Sequence, residues 1–381
     1  MSIIIFSAIL LVIFGKMVWI RRAMRGTGDF DTERKDLLMR RDFLVSKVLT
    51  DPEKLISGMP AVFGAQIQGE WALYTCSMLS ASLVNMSILY PDIREEALPV
   101  VDSLVKMVLS PEIKAYDAIR WSEDPLENMA ATDGHMSWYS HLAWMIEGWK
   151  RLGGDSRYDA LLDRLCAAMD RQMRSSPNMN VRTYPGEPVY VPDMLVAVVA
   201  LANYSATHEG KYGSTVTSWV KEMKRYCLDK DTGLLLSVIP YEEDWTWSAP
   251  VKGSYSALNC YYLTFVDRDF AREQYGILKE KFLQRRPVAG IKEYHDRRCL
   301  LGVDVDAGPI VLNLSPSGTA FAVGAATFFG DSDTRLRFMR TGELAGFSVT
   351  RKGMRHYKLA DIALVGEAIM LAMRTAVPWY D

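Results

Sequence analysis

The chain has 381 residues, 49% hydrophobic and 24% charged, with 44 basic and 46 acidic side chains. That composition excludes a disordered or collagen-like chain, and a net charge of -2 excludes a broadly basic nucleic-acid binder. The five cysteines include no C-x-x-C pair, so neither a disulfide framework nor a zinc site is expected, and most should act as small buried hydrophobes.

The first element is an apolar run from Ser2 to Ile20, broken by Gly15 and Lys16 and followed by Arg21, Arg22 and Arg25. At about 1.5 Å per residue it nearly crosses a hydrocarbon core of about 30 Å. A cleaved signal peptide carries its positive charge before the apolar run, and here the order is reversed. Residues 1–25 are therefore read as a single-pass membrane anchor with a basic flank, and 26–381 as one globular domain. The alternative is a signal peptide with an unusual flank. The positive-inside rule places the domain in the cytoplasm, with the periplasm as the alternative.

Twelve helices follow: 32–49, 68–89, 92–109, 134–152, 155–174, 193–207, 211–227, 253–265, 267–284, 315–329, 332–343 and 360–375. No sheet is expected. Short turns such as Gly153-Gly154-Asp155 and His208-Glu209-Gly210 alternate with long connections. Short turns force antiparallel neighbours, so the long connections should all emerge at one end. Polarity alternates as well. The stretch from Met194 to Asn203 is apolar nearly all round, as is that from Gly318 to Phe329, and such helices are buried on every side. The helix after Gly154 has one apolar stripe and one charged face. Six inner and six outer helices describe an all-α fold, an (α/α)6 toroid of six hairpins. The rival is an α-solenoid, which would show equal loops and a repeated consensus.

Polar and aromatic residues concentrate in the long connections and in the inner-helix starts they feed. Loops on one face of a rigid scaffold commonly carry function. Glu70 and Tyr74 open the first inner helix, where Glu70 would also serve as a cap. Asp133, His135, Trp138, Tyr139 and His141 follow. Asp133 fits an N-cap, and a histidine near neutral pKa suits proton transfer. The proline-stiffened segment Tyr184-Pro185-Gly186-Glu187-Pro188-Val189-Tyr190-Val191-Pro192-Asp193 would aim Glu187, Tyr190 and Asp193, although Asp193 also fits an N-cap. Glu243, Trp245 and Trp247 interleave carboxylates with indoles, a mixture suited to sugar rings or to a cationic intermediate. Tyr255 opens a later inner helix. His295, Asp304 and Asp306 complete the set, and paired carboxylates can split their pKa values into an acid and a base. The reading makes His141, Glu187, Asp193, Asp304 and Asp306 catalytic and the others substrate-binding. It calls for no metal and no cofactor. Gly-rich phosphate loops, G-x-S-x-G and H-E-x-x-H are all absent from the sequence.

Tyr139-Ser140-His141-Leu142, with Met145 and Gly148, resembles the Tyr-Ser-Gly-His-Leu segment of the linalool dehydratase/isomerase-like group of six-hairpin proteins. Gly186-Glu187-Pro188 resembles that group's Cys-Glu-Pro segment. The resemblance implies an (α/α)6 body that dehydrates or isomerises a terpenoid alcohol, with His141 at the family's histidine position. Gly186 stands where the family has its first cysteine, so Glu187 or Asp193 would have to replace the thiols as acid and base.

Three functions follow as expectations. The first is a membrane-anchored lyase or isomerase acting on a hydroxylated small molecule of terpenoid-alcohol type. The second is a glycan-active hydrolase or lyase of the six-hairpin type. The third is a non-catalytic glycan-binding or assembly module in a membrane complex. None involves nucleic acid.

Overall fold

A strongly apolar inner helix needs an amphipathic partner to cover it, and the chain supplies such pairs in order. The computed structural model describes residues 2–24, 29–61, 64–240 and 249–380. Among these, α1 (Ser2–Ala23) precedes α2 (Phe30–Val48) and the short α3 (Pro52–Ser57). Next come α4 (Ala65–Leu89), α5 (Arg94–Leu109), α6 (Pro111–Trp121), α7 (Met136–Arg151) and α8 (Asp159–Ser175). Strand β1 (Val189–Tyr190) leads into α9 (Val191–Thr207) and α10 (Gly213–Tyr226), and β2 (Val238–Ile239) precedes α11 (Gly253–Leu263) and α12 (Arg268–Phe282). The connection to α13 holds β3 (Leu283–Gln284), β4 (Gly290–Ile291), β5 (Leu301–Asp304) and β6 (Gly308–Val311). After α13 (Pro316–Phe328) and α14 (Ser332–Gly346), β7 (Ser348–Arg351) and β8 (Met354–Tyr357) lead to α15 (Leu364–Arg374).

The fold is mostly helical. Helices α4, α7, α9, α11, α13 and α15 are buried on nearly every side. Each packs on the next in that order, and α15 packs back on α4. Helices α5, α8, α10, α12 and α14 each pack on the inner helix just before them, and α2 covers α15. The first outer helix thus covers the last inner one. A buried ion cluster clasps that junction: Arg40 on α2 reaches Glu367 on α15 at 2.7 Å, Glu343 on α14 at 3.1 Å and Asp36 at 3.0 Å.

Helix starts are marked by capping oxygens that accept otherwise orphaned backbone N–H groups. Asp267 caps α12, Ser315 caps α13 and Asp331 caps α14. Three proposed caps are corrected. Helix α4 begins at Ala65 and α9 at Val191, so Glu70 and Asp193 lie inside their helices. Residue His135, in left-handed backbone, takes the N-cap position of α7, and Asp133 instead pairs with Arg182.

The expectation of no sheet is also corrected. Among the described residues, four antiparallel pairs, β1–β2, β3–β4, β5–β6 and β7–β8, staple the long connections. Strands of two to four residues are too short to leave an alternation in the sequence. Two helices fall in stretches read as connections, α3 and α6.

Helix α1 is helical as expected, and Phe6, Leu11, Val12 and Phe14 on it are largely exposed. Its C-terminal half meets the body: Lys16 bonds the Leu344 carbonyl, and Ile20 and the following Met24 pack against Met339. Among the described residues, Ala65–Leu89 is long and apolar enough to cross a membrane, but 83% of its apolar window is buried. It is the packed core helix α4, and its apolarity serves the core.

Candidate active site

The starts of α4, α9 and α11 converge with the connection before α13. Tyr74 on α4 donates to Asp193 on α9 at 3.1 Å. Strand β1 pairs with β2, tying the segment before α9 to the segment before α11. Lys252, just before α11, reaches Asp304 at 2.8 Å and Asp306 at 2.9 Å, in and beyond β5. Gly253 permits this approach, because a Cβ there would lie 1.9 Å from the Lys292 carbonyl.

Glu70 and Asp193 bear on each other electrostatically. Glu70 is enclosed, yet 19% of its side chain stays accessible. Burial and the neighbouring Asp193 carboxylate push its pKa up to about 8, against the pull of Arg120, whose guanidinium lies 3.5 Å away. Burial also raises Asp193, but the Tyr74 hydroxyl bond favours its charged form and leaves it at about 6. At neutral pH the environment therefore holds Glu70 mainly as the acid and Asp193 mainly as the carboxylate.

Two cations brace this region. The Arg120 guanidinium stacks 3.6 Å from the Tyr184 ring centroid while facing Glu70. Burial opposes the charge of Lys252, but Asp306 and Asp304 raise its pKa, so it stays an ammonium. Lys252 in turn holds Asp304 below the usual carboxylate range against the effect of burial. Tyr190 and Tyr255 meet edge to face at 6.4 Å. Asp306 bears electrostatically on both, and Glu187 on Tyr190. The buried Tyr184 hydroxyl bonds Glu70, favouring its charged form, and the Tyr116 hydroxyl bonds Ser137. Among the described residues, the buried Tyr262 hydroxyl has no hydrogen-bond partner, whereas buried polar groups are normally paired.

The structure brings Glu70, Tyr74, Tyr184, Glu187, Tyr190, Asp193, Tyr255, Asp304 and Asp306 into this one region. His141 lies one layer behind: its ring is 4.4 Å from that of Tyr74, and its Nδ1 is 2.8 Å from Ser77 Oγ. Burial pushes its pKa down to about 3, so at neutral pH it is an uncharged imidazole that packs behind Tyr74.

Other candidates lie elsewhere. Trp138 is a fully buried core side chain, and Tyr139 donates to the Pro125 carbonyl at 2.6 Å. His135 sits between Asp117 and Glu123, which raise its pKa against the effect of burial. His295 lines a separate basic cavity. Glu243, Trp245 and Trp247 lie outside the described residues.

Arg120, Tyr116 and Lys252 were missed from sequence. The first two sit on α6, whose opening was legible as Ser110-Pro111-Glu112: a capping serine, a proline at the first helical position and an acid in the first turn. Lys252 had no comparable signal, because its role depends on a hairpin more than fifty residues away in the chain. Another unforeseen acid is Glu293, fully buried against Ser254 at 2.8 Å, where burial lifts its pKa to about 7.

Among the described residues no group of three or more His, Cys, Asp or Glu side chains is arranged to hold a metal ion. No protein-family model matches the chain, and no curated protein matches it.

Proposed function

We propose that the chain is an (α/α)6 toroid, held to a membrane by α1, whose axial cleft carries out acid–base chemistry on a hydroxylated small molecule. The observation that carries this reading is the juxtaposition of Glu70 and Asp193 with Tyr74, Arg120 and Tyr184, where burial and the two unlike settings push the carboxyl pKa values apart. Two carboxyl groups pushed apart in pKa supply an acid and a base at the same pH.

In this reading the enzyme is a lyase or isomerase. Glu70 donates its proton to the departing hydroxyl oxygen, and the C–O bond breaks to release water. Asp193 removes a proton from the adjacent carbon, and the C–H electron pair becomes the new double bond. Tyr74 fixes the orientation of Asp193, while Tyr184 and Tyr190 shape the pocket. The anchor keeps the cleft close to a lipid-dissolved substrate.

A second reading, a glycan hydrolase or lyase, is favoured by the charged wall of Lys252, Asp304, Asp306 and Arg120, which suits ring hydroxyls. There Glu70 protonates a glycosidic oxygen and Asp193 acts from the other side. The deciding experiment incubates the full chain, reconstituted in vesicles, with panels of terpenoid alcohols and of oligosaccharides. Water loss or double-bond migration supports the first reading, and saccharide cleavage the second. Glu70→Gln and Asp193→Asn should each abolish turnover with the fold retained. Inertness toward both panels, or full activity in both variants, would defeat the acid–base assignment. A reporter fused after residue 381 tests the cytoplasmic placement, and extraction of the chain by alkaline carbonate would refute the anchor.

A further inference from the structure

We propose that the cleft face of the body lies against the bilayer, and that a basic cavity beside the β5–β6 hairpin seats the phosphate headgroups of anionic phospholipid. The proposal rests on α1 being a membrane anchor and deepens that reading by assigning which face meets the lipid.

The direction comes from how α1 packs. Lys16 Nζ bonds the Leu344 carbonyl at 2.8 Å and lies 4.5 Å from the Phe347 ring centroid, while Ile20 and Met24 pack against Met339. Going back along α1 from Met24 to Lys16 therefore goes forward along α14 from Met339 to Phe347, so the two helices run antiparallel. The exposed apolar stretch before Lys16 extends past the C-terminal end of α14. A short turn makes α14 antiparallel to α13, and α13 starts at the cleft face beside Ser254. The end of α14 is thus at the cleft face, and α1 leaves the body on that side.

Two features on the same face suit a bilayer surface. The β5–β6 hairpin turns apolar side chains outward: Leu301 is 80% exposed and Val303 71% exposed, and their register partners are Val311 and Pro309. Leu300 and Leu312 extend this face. An exposed apolar patch of this kind marks an interaction surface. Beside it lies a cavity of about 560 Å³ lined by Arg286, Lys292, His295, Arg297 and Arg298, with Asp296 the one acidic side chain in its wall. Apolar side chains flanked by arginines match the two layers of an anionic membrane surface, acyl chains beneath phosphates. Loop and anchor are also linked, because Thr341 on α14 donates to the Ala289 carbonyl.

The hairpin carries Asp304 and Asp306 at its turn, where they grip Lys252 at the cleft. Seating its outer face in lipid puts the rim of the cleft at the bilayer, so a substrate can enter from the membrane.

Cys299 makes the test direct, since it is the one cysteine of the five that is not buried, and it adjoins the hairpin. The full chain, labelled there with a fluorophore, is reconstituted in phosphatidylcholine vesicles with and without phosphatidylglycerol, using lipids with brominated acyl chains as quenchers. Quenching should be strong with phosphatidylglycerol and should fall when it is omitted. Arg297→Gln and Arg298→Gln should each weaken the phosphatidylglycerol dependence about fivefold. Leu301→Asp with Val303→Asp should remove quenching while the protein still floats with the vesicles. Flotation without quenching in the unmutated chain would overturn the proposal and leave the anchor intact. Loss of flotation would overturn the anchor and the proposal together. Shielding of Cys299 by inorganic phosphate alone, with no effect of phosphatidylglycerol, would make the cavity a soluble-anion site and overturn the lipid assignment.

Discussion

Tyr74 and Asp193 are 119 residues apart in the chain, yet the phenol donates to the carboxylate at 3.1 Å. They stand on α4 and α9, inner helices that each pack on α7. The bond favours ionised Asp193 within a buried space where Glu70 stays protonated. Turnover should therefore rise as Asp193 ionises near pH 6 and fall as Glu70 ionises near pH 8. Tyr74→Phe should move the acidic limb to higher pH, because Asp193 loses the bond that favours its charge. A pH–rate profile of the unmutated chain and this variant checks both limbs. An unshifted acidic limb in Tyr74→Phe would remove Asp193 from the base role.

Glu147 makes a separate prediction about stability. It is 1% exposed on α7, and burial lifts its pKa from 4.5 to about 8. A folded pKa above the unfolded value means that stability is full below about pH 4.5 and is lost as pH rises through 8. Glu147→Gln removes that loss. Relative to the unmutated chain it should be more stable at pH 9, by on the order of a few kcal/mol, and should lose that advantage at pH 5. Thermal melts at the two pH values measure the difference, and an equal effect at both would show that Glu147 does not titrate in this window.

The Arg40 cluster predicts a large cost. Arg40→Ala leaves the buried Glu367 and Glu343 without their cation. Removing one partner of a buried pair costs about 3–5 kcal/mol, because the other charge stays desolvated. Chemical denaturation should show this loss, whereas Arg41→Ala, a half-buried side chain on the same helix whose partners Asp42 and Glu96 are exposed, should cost less than about 1 kcal/mol.

Gly253→Ala tests the seam between the cleft and the hairpin. The added methyl meets the Lys292 carbonyl, which is backbone and has little room to yield. A loss of about 1–3 kcal/mol is expected from such overpacking. Displacement of Lys252 from Asp304 and Asp306 should reduce turnover beyond what the lost stability explains. A silent substitution in both assays would mean that the close approach is not required.

Much of the helical layout is legible in the sequence. The all-round apolarity of Met194 to Asn203 marked α9 as buried, and the single stripe from Asp155 to Asp170 marked α8 as an outer helix. Helix periodicity reports how many faces are covered, so it separates inner from outer layers without contacts. Part of the cleft was legible for a related reason. Tyr184, Glu187, Tyr190 and Asp193 stand together in a proline-stiffened connection, and Asp304 and Asp306 stand together in a turn.

Which of these groups act together was decided only by tertiary structure. His141 stood out in the sequence as a proton carrier, but full burial beside Ser77 and Tyr74 disfavours its charged form. Glu70 also read as a cap, and burial beside Asp193 instead raises its pKa to about 8. The reason is physical. Periodicity and capping follow from neighbours within a turn or two of helix, so residue order alone carries them. A pKa follows from desolvation and from charges brought close by the fold, and the Arg120, Asp193 and Tyr184 that surround Glu70 are 50, 123 and 114 residues away from it.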